Sequence, residues 1–296
     1  MLLELAIGDA YGAGFEYADP DFVAAHNTLL GYVQHPRHRG ILPGAYTDDT
    51  QLTIAVAEAL LSGEPWSAAT LADRFVEAFR RDPRDGYAPS FGQLLSEMRD
   101  GEELLARLRP DSNKSGAAMR ASPVGLLPDV PEILHRTAVQ ARITHDTPSG
   151  IESAQAAALA VHYCHHDLGP LAEIGRWIEH TLPPGVGGWA RPWHGKVGSR
   201  GRMSVRAALT VVSRGGSLSE MLRACVAFTG DVDTVATIAL AAASRSGQVV
   251  KDLPAVLVDT LEDGPYGLAF LRGLDARLLT SGSGAAPRRS ASAPPV

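Results

Sequence analysis

The chain predicts an all-α fold. Long Ala/Leu/Val-rich segments place apolar residues at a 3.6-residue period, and few segments show the alternation of a half-buried strand. The Gly- and Pro-rich stretches fall between the periodic segments, as connections do. Hydrophobic residues make up 45% of the 296 and charged residues 20%, ordinary for a globular chain with enough material for a core.

Taken in order, a short helix begins near Leu2 and breaks at a glycine-rich turn, Gly8-Asp9-Ala10-Tyr11-Gly12-Ala13-Gly14, with Glu16 just beyond it. Residues 17–45 read as loop. Thr47–Leu61 carries Leu52, Ala55, Val56, Ala59 and Leu60 on one helical face, and Ser67–Arg80 repeats the pattern with Leu71, Phe75, Val76 and Phe79. Loops are expected at 82–90 and 110–116. Ser149–Tyr163 and Val232–Ala243 are so rich in alanine that they suggest tight packing in the middle of a bundle. Between them lies a long loop, 182–201, holding Trp189, Trp193, His194 and several Gly and Pro residues. It either walls a functional cleft or packs as a surface loop. From Ser281, Gly, Ala, Ser and Pro dominate, so 1–280 reads as one domain and 281–296 as a disordered tail.

Charge and cysteine content narrow the function. Twenty-seven basic residues against 33 acidic ones give a formal charge of −6, which argues against an extended nucleic-acid surface. Cys164 and Cys225 lie among apolar neighbours and form no disulfide framework; both read as buried thiols. Met1–Ile7 is too short for a signal peptide and no apolar run reaches membrane-spanning length, so a cytoplasmic protein without a membrane partner is expected.

Two acidic clusters carry the chemistry. Tyr46-Thr47-Asp48-Asp49-Thr50-Gln51 and Thr229-Gly230-Asp231-Val232-Asp233-Thr234 each precede a helical segment. Capping a helix needs one side-chain oxygen, and each cluster supplies several. Carboxylates this close repel one another unless water or a cation screens them, while a helix N-terminus favours negative charge. Hard oxygen ligands without a neighbouring His or Cys point to Mg²⁺, Mn²⁺ or Ca²⁺ rather than zinc.

As an ordered set, Gly8-Asp9-Ala10-Tyr11-Gly12 with Glu16, Tyr46–Thr50 and Gly230–Thr234 resemble the ADP-ribosylglycohydrolase family, of the dinitrogenase-reductase-activating glycohydrolase type. Asn113-Lys114-Ser115-Gly116-Ala117-Ala118-Met119-Arg120 and Thr144-His145-Asp146 support it from between. The resemblance implies a compact single-domain orthogonal helical bundle and a hydrolase that cuts the glycosidic bond between ADP-ribose and an acceptor. It implies two divalent cations, Mg²⁺ or Mn²⁺, held by Thr47, Asp48, Asp49, Asp231, Asp233 and Thr234. Glu16, Asp48 and Asp233 would serve catalysis, with Glu16 as acid/base or gate. Asn113, Ser115, Gly116, Met119 and His145 would meet the ADP-ribose. The partner would be an ADP-ribosylated substrate and the protein a monomer. Thr229 stands where many relatives have glycine, and Asn113-Lys114-Ser115-Gly116 departs from the usual Gly-Asn-Gly loop. Acceptor identity is left open. A binuclear nucleotide phosphohydrolase would use similar clusters. A non-catalytic ADP-ribose-binding relative would be marked by a lost ligand, and none of the six is lost.

Other candidates have structural readings. His162, His165 and His166 around Cys164 fit no zinc spacing and suit a helix end. Tyr87 and Phe91 are expected in the core rather than on an adenine ring, and Arg120 in a structural role. Lys114 and Lys196 could contact phosphate.

Overall fold

A helix with no polar face has to be surrounded by other protein, and one with a sharp apolar stripe belongs on the outside. Both kinds occur in the computed structural model, which describes residues 1–282. The first half contains α1 (Leu2–Ala13), α2 (Pro20–His26), α3 (Asp48–Leu61), α4 (Ala68–Arg81), α5 (Pro89–Glu97), α6 (Gly101–Arg107) and α7 (Gly116–Met119). Then come α8 (Val130–Arg142), α9 (Pro148–His165), α10 (Ile174–Thr181) and α11 (Gly201–Val212). The last are α12 (Leu218–Ala227), α13 (Val232–Ser244), α14 (Ala255–Asp259) and α15 (Leu268–Gly282). Strand is confined, among the described residues, to a two-residue parallel pairing of Gly216–Ser217 with Val249–Val250. The fold is all-α, as the periodicity predicts.

Helices α1, α9 and α13 form the centre. In α13 every residue from Val232 to Ala243 is buried. Small side chains let α1 lie directly on α13: a Cβ on Gly12 would stand 2.4 Å from the Asp233 Cα, and one on Gly8 2.8 Å from the Ala236 carbonyl oxygen. This crossing brings the end of α1 against the start of α13. The amphipathic α4 and α10 pack outside, α4 against α3 and α6 and α10 against α9.

Several helix starts are capped by their own side chains. Ser67 accepts from the Thr70 N–H, Thr147 from Gly150, Asp129 from Glu132 and Asp100 from Glu103; Ser217 and Glu220 form a reciprocal capping box. The two helices that follow the acidic clusters, α3 and α13, have no such cap. Their terminal groups are committed elsewhere.

Three expectations need correction. The stretch from Gly8 is not a turn: α1 runs unbroken through Gly8 and Gly12 to Ala13, and both glycines lie against the α13 backbone. The segment 17–45 is not loop throughout: Asp19 caps α2 with Pro20 in its first turn. Residues 82–90 end early, because α5 starts at Pro89. Helix α15 reaches Gly282, so the rest of the expected tail lies outside the described residues. No described helix is long and apolar enough to cross a membrane.

Candidate metal centre

The site is assembled from three chain segments that only the tertiary fold brings together. Asp9, mid-way along the apolar α1, is fully buried and organises the first cluster. Its Oδ2 accepts from the Thr47 N–H (2.9 Å), the Thr50 N–H (3.0 Å) and the Thr50 hydroxyl (2.6 Å), and its Oδ1 from the Thr47 hydroxyl (2.7 Å). Asp9 therefore caps α3 from another helix and leaves Asp48 and Asp49 free to face the pit. Burial raises the Asp9 pKa, and the four hydrogen bonds pull it back.

The second cluster is held by the 182–201 loop. The Val197 N–H donates to the Thr229 carbonyl (3.0 Å), and the Asp231 N–H donates to the Val197 carbonyl (3.1 Å). Gly230, at φ +92°, lies so close that a Cβ would fall 1.8 Å from the Val197 oxygen. Thr229 adopts φ +62°, the left-handed region, which accounts physically for the glycine that relatives place there. The same loop also bonds the middle segment: the Ser115 N–H reaches the Ser199 carbonyl and the Gly201 N–H that of Asn113. Residues 197–201 thus wall the pit between the two segments. The earlier part of the loop is pinned by buried Glu152, which accepts from the Val186 N–H, the Gly187 N–H (2.7 Å) and the Trp189 indole (2.9 Å).

The carboxylates of the pit are crowded. Glu16, Asp231 and Asp233 each offer an oxygen, and these atoms all lie within 4.8 Å of one another. Burial raises the Asp48, Asp49 and Asp233 pKa values well above the ordinary range, and mutual repulsion adds to it. Glu16 is pushed up to about 7 by burial and by the charges of Asp231 and Asp9. Asp231, also raised by burial, is relieved by Ser204, whose hydroxyl donates at 2.9 Å, and by Ser115 and Thr234. The Thr234 hydroxyl lowers Asp49 as well, and so joins α3 to α13. Asp49 Oδ1 is nonetheless buried without any hydrogen-bond partner. An orphaned carboxylate oxygen among four other carboxylates is the environment that a hard divalent cation relieves, so the donor set fits Mg²⁺ or Mn²⁺.

All six expected ligand positions, Thr47, Asp48, Asp49, Asp231, Asp233 and Thr234, and Glu16 are therefore in or at the rim of this pit. The expected ADP-ribose residues form one flank but play unequal parts. Ser115 touches Asp231 and Gly116 backs onto the His145 ring. Met119 is buried, and its carbonyl accepts from Thr53 of α3 (3.3 Å). Asn113 is exposed, with its carbonyl bonded to Gly201. His145 is buried and held far towards its neutral form, pushed down to about 3 by burial and the positive charges of Arg120 and Lys114. Its Nδ1 shares a 2.6 Å hydrogen bond with the Thr144 hydroxyl, while Nε2 is buried without a partner. The fully buried Arg120 donates to Gln140 Oε1 (2.7 Å), the Gln140 carbonyl (2.9 Å) and Thr144 Oγ1 (2.8 Å), and stacks over Phe75, which is the structural role expected.

Elsewhere, Tyr87 packs on Phe79 and Phe91 and donates to Gln51 (2.7 Å), so both aromatics belong to the core edge. Beside it Gly86, at φ +108°, covers Asp48 so closely that a Cβ would lie 2.5 Å from its Oδ1. His162 bonds the Leu127 carbonyl. Burial and Arg245 hold His165 down to about 4, so it meets α9's end as a neutral acceptor. Cys164 and Cys225 are buried free thiols. Sequence reasoning missed the roles of Asp9, Ser204 and Glu152. Asp9 did carry a signal, a charged residue inside an apolar helix with no polar face to put it on.

A family model described as ADP-ribosylglycohydrolase matches residues 1–282. The ADP-ribosylhydrolase ARH3 of Xenopus tropicalis is 29% identical over 191 residues, covering 60% of this chain and 53% of that one. The Mus musculus ARH3 is 31% identical over 172 residues, covering 53% and 45%. The ADP-ribosyl-[dinitrogen reductase] glycohydrolase of Rhodospirillum rubrum is 27% identical over 163 residues, covering 54% and 55%. The chain thus spans about half the length of the curated relatives it matches. A solved structure titled as an ADP-ribosylglycohydrolase-related protein complex superposes with a TM-score of 0.68 at 22% identity, over 95% of this chain and 96% of that one, a likeness of fold. With the family model running from the first residue to the end of the last helix, the chain belongs to the ADP-ribosylglycohydrolase family.

Proposed function

We propose that this protein hydrolyses the glycosidic bond between ADP-ribose and an acceptor, with two divalent cations, Mg²⁺ or Mn²⁺, held by Thr47, Asp48, Asp49, Asp231, Asp233 and Thr234. The observation that carries the reading is the buried, unpartnered Asp49 oxygen among carboxylates drawn from opposite ends of the chain. When bound, such cations neutralise the pit, orient hydroxyls and lower the pKa of water.

The protein's own groups take the remaining roles. Glu16 sits at the rim, half-buried, with a carboxylate oxygen near those of Asp231 and Asp233, a place that suits a group passing a proton. An oxocarbenium-like transition state develops positive charge on the ribose ring, which a carboxylate at the rim such as Glu16 would favour. Ser115, Gly116, Met119 and His145, with the Asn113 loop above them, supply the ADP-ribose flank. His145 presents a buried nitrogen that a ligand's polar group can satisfy. Lys114 and Lys196 are exposed nearby and suit phosphate.

The Rhodospirillum rubrum relative is named for dinitrogen reductase, and the acceptor of the present protein is the open variable. The test is release of free ADP-ribose from arginine-, serine- and nucleic-acid-linked substrates with Mg²⁺, Mn²⁺ or chelator, beside Asp48→Ala. Release from one linkage that needs both metal and Asp48 is expected. Inorganic phosphate released from nucleotides in its place would move the activity to phosphoryl chemistry. Metal-independent release, or full activity of Asp48→Ala, would overturn the proposal.

A further inference from the structure

Glu16 is held in the pit against repulsion, and the residues that hold it lie in a loop with no other evident task. The loop Pro36–Gly40 is exposed throughout, yet His35 at its base is 1% exposed. Its Nδ1 receives two backbone donors, the Arg37 N–H at 3.0 Å and the His38 N–H at 2.9 Å. A nitrogen that accepts twice carries no proton, so the ring is neutral with its hydrogen on Nε2. That Nε2 lies 2.8 Å from the Glu16 carbonyl, and the tautomer makes it the donor.

The next residue is fastened on both sides. The Tyr17 N–H donates to the Gly230 carbonyl (2.8 Å), in the loop that carries Asp231, and the Arg37 guanidinium donates to the Tyr17 carbonyl. Tyr17 adopts φ +49°, a left-handed conformation that a side chain of this size takes only when its surroundings impose it. The turn it makes sends the Glu16 side chain back to within ligand distance of Asp231 and Asp233. Released from the clamp, Glu16 would be driven outward by the same carboxylates.

We propose that His35 is a positioning residue, a clamp on the Glu16 backbone that keeps the Glu16 carboxylate in the acidic pit and thereby sets the affinity of the pit for a divalent cation. The inference rests on reading the pit as a metal centre. It assigns a role to the loop 35–38 that neither the acidic clusters nor the ADP-ribose flank requires.

Two replacements separate the two ends of the ring. In His35→Asn, Oδ1 takes the place of Nδ1 and still accepts from Arg37 and His38, while nothing reaches Glu16. In His35→Gln, Nε2 takes the place of the imidazole Nε2 and restores the donor to Glu16. Titration calorimetry of Mn²⁺ into the full chain should show binding weakened about 10-fold in His35→Asn, the size of effect that outer-shell partners of metal ligands have, and within about 3-fold of wild type in His35→Gln. Arg37→Ala, on the surface, should weaken binding in the same direction. Exchange of the Tyr17 amide proton should accelerate in His35→Asn and not in His35→Gln. Equal Mn²⁺ affinity of wild type, His35→Asn and Arg37→Ala would overturn the clamp and leave the metal centre standing. A wild-type protein that binds no Mn²⁺ would overturn the metal centre, and the clamp with it.

Discussion

Buried carboxylates occur in two kinds here, and the contrast separates architecture from chemistry. Asp9 and Glu152 are each saturated with donors: four hydrogen bonds converge on the first and three on the second. Asp48, Asp49 and Asp233, with Glu16 at the rim, face one another with few donors, and one Asp49 oxygen has none. Both groups are Asp and Glu side chains in the interior or at its edge. What differs is whether the fold has provided for the charge. Where it has, the carboxylate fixes a helix start or a loop; where it has not, the molecule carries a cost that only an external cation or a proton removes.

The largest effects should come from removing one member of each kind. Asp233→Asn should abolish ADP-ribose release yet raise the melting temperature of the ion-free protein, because it relieves repulsion while keeping the oxygen that accepts from the Thr234 N–H. Asp9→Ala should do the reverse to stability. Four buried donors lose their acceptor at about 1 kcal/mol each, a loss of about 4 kcal/mol in all. In a chain of this size that lowers the melting temperature by about 10 °C. If both variants lowered stability equally, the distinction would collapse.

A smaller effect is expected at Glu152. Glu152→Gln should cost about 1–3 kcal/mol, since an amide cannot accept from all three donors as well as a carboxylate does. Hydrogen exchange should quicken at the Val186 and Gly187 amides and stay unchanged at Val197. Uniform quickening along 182–201 would show that the loop is held as one piece.

Titration sharpens the same contrast. Glu16 is raised from its ordinary value to about 7, so its neutral form contributes stability that is full below about pH 4.5 and lost as pH rises through 7. His145 is lowered to about 3, so its neutral form contributes stability present above about pH 6.5 and lost as pH falls toward 3. Between these limits the ion-free protein should lose from the pit as pH rises and gain from the His145 flank. Added Mn²⁺ should remove the first trend and leave the second. Melting curves with and without the ion across pH 4.5–8 would check this, and identical pH profiles would contradict it. The smallest effect belongs to Thr229→Gly, which should stabilise by about 1 kcal/mol by removing a β-branched residue from the left-handed region. A destabilised variant would mean that the Thr229 side chain has a contact that matters more than its backbone.

How much of this was legible in the residues follows from how local each signal is. The helices after Thr47, Ser67, Thr147 and Asp231 are visible because their apolar periodicity is a local signal, with caps at Ser67 and Thr147 beside it. The proposed metal ligands are visible because each cluster holds more oxygens than a cap needs. Asp9 stands in its motif with no local sign of its role, since its partners lie 38 and 41 positions away. His35 gave no signal: it sits in a polar loop, and its partner is a backbone carbonyl, which no residue type announces. Helix α2 was missed for another reason. Val23 is its sole buried residue, so there is no stripe to see, although Asp19-Pro20 is a helix start that could have been read.

Because α1 meets α13 at Gly8 and Gly12 with no room for a methyl group, α1 leaves the ribosome long before the helix it has to rest on. Until Asp233 is synthesised, the apolar face of α1 has no permanent neighbour there, and its contacts close one of the longest loops in the chain. Such distant pairings form late and slowly. The carboxylates thus spend most of synthesis apart and hydrated, and their repulsion is felt only when the bundle closes. A nascent chain that stops short of that point has most of the described helices and lacks the one that joins its centre.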